Sequence, residues 1–350
     1  MKDSLEWLSL KNVLKIFTET EFGARCCQQR MSSILSSPHS PHLPTYQFQP
    51  IALFQSCFKQ KTGTPRQFNL IPHSRGYFRL NSIHLVEGLE VGLYLHVIWL
   101  FHQNFHIKRD SVNQKETNKE EAAHLQQLSE SYAPICITNQ MQKTKIKPPR
   151  MNGQKIGIFA ARSPYRPNPI GLSVCKIRDI VKGKDDSVIV HLEGCDLVHG
   201  TPIIDVKPYI RDYDSIPEAP HPSWFENIAL KQKNVAQVAF TEDAQRQLEE
   251  LVPKMKFYHN DLDAVRQVIE EMILLDPRSK YRRDKCTEEV FGFCIDNINV
   301  RCVFKDENQC FVCEVESLDK IEQMDKKSLK RRNTEDFARF SKRIRSEEKE

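Results

Sequence analysis

The chain has 350 residues, 28% of them charged and 39% hydrophobic, with a formal net charge of +5. That length suffices for two domains with separate cores, and the mild basicity admits an anionic partner without requiring one. Only 12 glycines are present and neither G-x-G-x-x-G nor G-x-x-x-x-G-K-[ST] occurs, so a Rossmann or P-loop nucleotide site has no support. Eleven cysteines with no secretory leader in front of them read as buried or free thiols in a reducing compartment.

Residues 1–44 begin with Leu5, Leu8, Val13, Leu14 and Phe17 at roughly helical spacing, then pass into a Ser/Pro-rich stretch. Asp3, Glu6 and the short apolar runs fit neither a leader nor a membrane span, and the segment reads as an extension outside the fold. A first strand is expected over residues 48–58, followed by a polar loop that carries Pro65-Arg66-Gln67. Residues 76–80 and 93–102 supply two more strands; the second is too short to span a bilayer and is best taken as a buried strand, although its length alone does not exclude a buried helix. Residues 107–147 are polar, with a charge run over 115–121, and look like a solvated or partly helical insertion. Lys143, Lys145, Lys147 and Arg150 lead out of it and suit phosphates.

The most informative stretch is Arg162-Ser163-Pro164-Tyr165-Arg166-Pro167-Asn168-Pro169-Ile170-Gly171-Leu172. Three prolines fix φ and remove donors, which excludes a helix interior or a central strand and leaves a stiff connector. Arg162 and Arg166 are permanent cationic forks suited to carboxylate or phosphate. Strand-like flanks at 156–160 and 172–177 place this rigid loop at a sheet edge or a barrel mouth. A further strand at 187–192 leads to Leu197-Val198-His199-Gly200, and then to a strand on which Asp205, Lys207 and Tyr209 share one face. Taken alone, those three suit an exposed salt-bridged face as well as a proton-handling site.

Pro217, Pro220 and Pro222 mark a linker over 216–234 to a second domain over 235–318. Thr241 is a helix N-cap, and Val265, Val268, Ile269, Met272 and Ile273 form one face of a second helix. Arg278, Tyr281, Arg282 and Arg283 crowd one turn, where phosphate pairing and stacking on RNA compete with plain solvation. Strands follow at 290–296, 298–304 and 310–315. Cys310 and Cys313 form the only C-x-x-C; in a strand they diverge, so core thiols rather than a metal site are expected. Residues 319–350 read as a basic tail that suits RNA, a nuclear address or simple solubility.

Several of these motifs, in this order, closely resemble the TrmO family of tRNA methyltransferases: Pro65-Arg66-Gln67, Phe101-His102-Gln103-Asn104, the 162–172 loop, Leu197-Val198-His199-Gly200 and Asp205-Val206-Lys207-Pro208-Tyr209-Ile210. The resemblance runs from about residue 46 to 318, outside the insertion. It implies a mainly β fold, with a non-Rossmann β-barrel methyltransferase domain over 45–215 and a small α+β C-terminal domain that contacts tRNA. The implied reaction is transfer of a methyl group from S-adenosyl-L-methionine to N6 of threonylcarbamoyladenosine beside the anticodon, in tRNA-Thr-like substrates, by a homodimer.

On that resemblance the cofactor positions are Pro65, Arg66, Gln67, His102, Gln103, Arg162, Leu172, Leu197, Val198, His199 and Gly200. The RNA positions are Arg166, Arg278, Tyr281, Arg282 and Arg283. Asp205, Lys207, Tyr209 and His199 would handle the N6 proton, with Asp205 as acidic partner, Lys207 as orienting cation, and the base open among Asp205, His199 and Tyr209. No metal and no membrane are implied, and the compartment would be the cytoplasm, with the nucleus open to it as well. The chain departs from the family at Leu93 to His96, where Ser-His-x-Trp is usual. With the insertion, that departure keeps a second function in play: a degenerate barrel that binds tRNA without methylating it.

Overall fold

The computed structural model describes residues 48–103, 144–148, 151, 153–225, 235–305, 309–322 and 326–347. The extension 1–44 and nearly all of the insertion lie outside the described residues, as do Asn104, Lys143, Arg150 and the end of the linker. Residues Phe48–Glu350 form one compact unit.

Period-two burial builds the first half. Strands β1 (Ala52–Ser56), β2 (Arg75–Leu80), β3 (Tyr94–Leu100), β4 (Lys145–Ile146), β5 (Ile156–Gly157), β6 (Ile170–Lys182), β7 (Val188–Glu193) and β8 (Thr201–Pro208) follow in order. Six of them close into an antiparallel barrel, β1-β2-β7-β6-β3-β8, with β8 pairing back onto β1. Closure leaves no free sheet edge, and Phe54, Phe78, Leu95, Val97, Trp99 and Ile203 fill the interior.

The 93–102 segment is thus a strand, paired with β6 on one side and β8 on the other. Leu95 and Val97 point inward, so the unusual residues at 93–96 leave the barrel closed. The flank expected as a strand over 156–160 pairs only at Ile156–Gly157, because its partner β4 is two residues long; Ile158–Ala160 winds into a 3-10 turn instead.

After the short helix α1 (Arg211–Asp214) comes the second domain. Its elements are β9 (Gln237–Phe240), α2 (Glu242–Leu251), α3 (Leu262–Leu274), α4 (Lys280–Lys285), β10 (Phe291–Ile295), β11 (Ile298–Phe304), β12 (Gln309–Ser317), α5 (Asp319–Glu322) and α6 (Lys326–Glu347). Thr241 Oγ1 accepts from the Ala244 N–H at 3.3 Å and starts α2, while Asp261 caps α3 at the Ala264 N–H. The sheet order is β10-β11-β12-β9, with β9 parallel to β12.

Val265, Val268, Ile269 and Met272 pack one face of this sheet. The other face receives α6 through Phe340 and Ile344, which sit on Val290, Val303 and Cys313. Helix α6, from the stretch read as a basic tail, therefore supplies the third layer of a helix–sheet–helix sandwich. Cys310 belongs to the first core and Cys313 to the second, on opposite faces as period-two geometry requires.

Barrel and second domain share a core. Cys57, Phe58 and Ile71, from the loop after β1, are buried among the residues of α2 and α3. Arg75 pairs with Asp261 at 2.5 Å, and the Tyr258 hydroxyl donates to the His73 carbonyl at 2.9 Å. No helix among the described residues is long and apolar enough to cross a membrane.

Candidate active site

Loops from four parts of the chain meet at one mouth of the barrel. Lys61 Nζ donates to the Gln103 carbonyl at 2.7 Å, which ties the loop holding buried Pro65 and exposed Arg66 to the end of β3. Arg162 Nη2 donates to the Leu172 carbonyl at 3.0 Å, and its guanidinium lies 5.4 Å from the Phe68 ring centroid. The Pro-rich connector is therefore folded back on the start of β6 and against the Pro65–Phe68 loop. Arg166 is partly spent on bracing it, donating to the Ala161 carbonyl at 2.6 Å and more weakly to Ile158.

Beneath this mouth lies a buried relay that sequence reasoning missed. Trp99 Nε1 donates to Ser173 Oγ at 2.9 Å, and Ser173 Oγ donates to Asp196 Oδ1. The Phe68 backbone N–H also points to Asp196, and Arg162 stands near it. Burial pushes the Asp196 carboxyl up to about 6, against the lowering pull of Ser173 and Arg162. The signal in the sequence is a lone acid between Cys195 and Leu197, both fully buried. Asp196 thus links the two cationic loops from below.

Gly171 makes the relay possible. A Cβ there would stand 2.3 Å from the Trp99 indole, so only glycine lets the ring lie flat on β6 and reach Ser173. Gly171→Ala is expected to cost about 1–3 kcal/mol by overpacking. Urea unfolding followed by tryptophan fluorescence checks this; an unchanged midpoint and emission maximum would show that the ring is not pinned.

The proton-handling candidates divide into two groups. His199 sits at the mouth, where the Ser56 N–H donates to its Nδ1 at 3.4 Å. Burial lowers its pKa, helped by Lys256 and Lys59, so the ring is neutral at pH 7 with its proton on Nε2. His102 is lowered likewise, by burial and by the nearby Lys61 ammonium.

Asp205, Lys207 and Tyr209 do share a face, but it is the outside of the barrel wall. Asp205 stands opposite Ile98 and Lys207 opposite His96. The Tyr209 N–H bonds the Tyr94 carbonyl at 2.8 Å, and the Tyr209 ring lies 5.4 Å from His96. Leu172 lies on the same outer face across β3, opposite Ile98. Among the described residues, no hydrogen bond or ion pair joins His199 to these three.

The cationic turn of the second domain is also divided. Arg278 grips buried Asp276 with two bonds of 2.8 and 3.0 Å and lies 3.5 Å from the Phe304 ring centroid. Arg283 donates to the Arg278 carbonyl at 2.9 Å. Both therefore build the turn. Tyr281 is 70% exposed and Arg282 lies over Phe291 at 5.6 Å, which leaves the tyrosine as the open surface.

A closed antiparallel barrel with cationic loops at its mouth, fused to a helix–sheet–helix domain, defines a non-Rossmann class. A crystal structure of TrmO from Pseudomonas aeruginosa has this fold, with a TM-score of 0.52 at 23% identity over 78% of this chain and 100% of that one. The chain belongs to the TrmO family: residues 110–215 match the tRNA-methyltransferase O N-terminal domain and residues 233–318 the TrmO C-terminal domain. An Escherichia coli relative named tRNA (adenine(37)-N6)-methyltransferase is 29% identical over 264 residues, 74% of this chain and 93% of that protein. The human relative of the same name is 34% identical over 173 residues, 48% of this chain. There, and in the rat and mouse relatives, the match spans 31% of the relative's length.

Proposed function

We propose that this chain is a tRNA methyltransferase that moves the methyl group of S-adenosyl-L-methionine onto N6 of N6-threonylcarbamoyladenosine at position 37, beside the anticodon of tRNA-Thr-like substrates. The observation that carries the reading is the convergence of the Pro65–Phe68, 102–103, 162–172 and 196–200 segments at one barrel mouth, in a chain of this family. The residue set fits such a cofactor: Arg66 and Arg162 suit a carboxylate, while Phe68 offers apolar surface to an adenine or a methionine chain. When bound, the cofactor supplies an activated methyl group.

The chain's own residues then align, exclude water and take one proton. Alignment is the task of the rigid 162–172 loop, held by the Arg162–Leu172 bond. His199, with Nδ1 already accepting, presents an Nε2–H and serves as donor rather than base. Of the two that remain, Asp205 and Tyr209, the carboxylate rather than the phenol accepts the N6 proton, with Lys207 two residues along the same face as orienting cation and Tyr209 closing the wall.

A homodimer fits the same picture. The outer face that carries Asp205 and Lys207 also exposes Leu172 (48%), Tyr94 (43%) and Ile170 (36%), an apolar surface that a second copy would cover. RNA contact falls to Tyr281 and Arg282, with Arg166, Arg278 and Arg283 bracing their own loops.

The test is transfer of labelled methyl to tRNA carrying threonylcarbamoyladenosine, with unmodified tRNA and Arg162→Ala protein alongside. Incorporation is expected only with the carbamoylated base, and Arg162→Ala is expected to lower the rate about 100-fold by loosening alignment. Binding of tRNA with no methyl transfer would instead favour a degenerate barrel. The intact pairing of β3 on both sides argues against that alternative.

A further inference from the structure

We infer that helix α6 is a tRNA-docking element, whose Arg339, Lys342 and Arg345 form a fixed cationic ridge for the phosphate backbone of the tRNA body. The inference rests on the tRNA reading of the barrel site. It concerns a segment beyond residue 318, where the matched C-terminal domain ends.

The 326–347 sequence carries nine lysines and arginines against three acids, a balance that would keep an isolated helix in solvent. It is instead held down by charges that turn inward. Arg332 bonds Glu314 at 3.2 Å and Glu316 at 3.0 Å on β12, and Asp336 takes buried Arg301 at 2.7 Å. Arg343 pairs with Asp243 at the start of α2. Phe337, Phe340 and Ile344 complete the anchor on Val290, Val303 and Cys313. The helix is thus fastened from Arg332 to Ile344.

What remains outward is a line of cations at three-residue spacing. Arg339 (62% side-chain exposure), Lys342 and Arg345 are exposed, and each step along the helix rises about 4.5 Å. Among the described side chains, the acids on α6 nearest this line are Glu335, exposed one turn away, and Asp336, which also bonds Arg339 at 3.0 Å. Asp336 is already committed to Arg301, so it neutralises the ridge only in part.

Two features favour nucleic acid as the occupant. Duplex RNA, like DNA, presents closely spaced phosphates that a rigid row of cations meets without ordering a flexible tail. An anionic membrane is the poorer match. An interfacial helix needs a free apolar face, and the described apolar residues of α6 are all spent on the sheet.

The test uses the full chain with R339Q, K342Q and R345Q combined, and a control that loses three exposed cations from the barrel, R79Q, K182Q and K184Q. Binding of tRNA is measured by anisotropy between 50 and 200 mM salt, with S-adenosyl-L-methionine affinity and thermal unfolding read on the same proteins. The ridge variant is expected to bind tRNA about tenfold more weakly at 100 mM salt, with a salt slope reduced by about 2–3. Its cofactor affinity and unfolding temperature should match wild type, and the control should lose little. An unchanged slope, or an equal loss in the control, would overturn the ridge. Failure of the wild-type chain to bind tRNA at all would overturn the reading beneath it, a result visible before any variant is compared.

Discussion

Replacing Arg301 with methionine is expected to destabilise the second domain by about 3 kcal/mol and to release α6 from the sheet. Arg301 is 2% exposed on β11 and donates to Glu314, to Asp336 at 2.7 Å and to Asn333 Oδ1 at 3.2 Å, with the Phe340 ring 5.5 Å away. Methionine keeps the stem's packing and strips the charge, so two largely buried carboxylates lose their central cation. Arg332 still reaches Glu314 at 3.2 Å and Asp336 at 3.4 Å, which holds the cost near the lower end of the range for broken buried pairs. Hydrogen exchange is the direct measurement: protection over 326–347 should fall while the barrel strands keep theirs. A double-mutant cycle with Asp336→Asn should return a coupling of about 1–3 kcal/mol. If α6 stays as protected as in wild type, its apolar contacts alone hold it, and the buried charges are passengers.

The same network shows why part of the fold was hidden in the sequence. Strand alternation was legible wherever one side of a strand is buried, as in β1, β2, β7 and β10, because period two survives without knowledge of the partner. Asp205, Lys207 and Tyr209 keep their common face because the register shift between β3 and β8 falls before Asp205, at Ile98/Trp99. Helix α6 was not legible. Its few apolar residues stand among cations that look solvated, and the carboxylates that meet those cations lie far off in the chain, Glu314 and Glu316 in β12 and Asp243 at the start of α2. Short β9 was missed for a related reason: four half-exposed residues carry little pattern, and only parallel pairing with β12 makes them a strand. Among site residues, the 162–172 loop announced itself through its prolines and arginines. Arg278 was legible as a cation but not as the partner of Asp276, whose positive φ of 44° turns the chain back to meet it.

Asp196→Asn is expected to raise stability at pH 8 and to change it little near pH 4, while weakening the hold on Arg162. The folded carboxyl titrates at about 6, above its ordinary value of 3.8. The fold therefore binds this proton more tightly than the unfolded chain does. Below pH 3.8 both states are protonated and burial costs nothing; as pH rises towards 6 the unfolded chain ionises first, and stability falls. Above about 6 the loss is complete, about 3 kcal/mol for a shift of this size. Asparagine cannot ionise, yet its Oδ1 still accepts from Ser173, so the difference in unfolding temperature between variant and wild type should grow between about pH 4 and pH 6 and hold level above. A difference that stays flat with pH would refute the buried carboxylate. The functional cost should run the other way. Without the anion beneath them, Arg162 and the Phe68 loop lose a common anchor, and S-adenosyl-L-methionine affinity at pH 8 should drop by roughly tenfold, the equivalent of one charge-assisted hydrogen bond. Wild type should show the same weakening as pH falls through 6, and the variant should not. The Asp196 carboxylate thus lowers stability at neutral pH while its charge holds the loops above it.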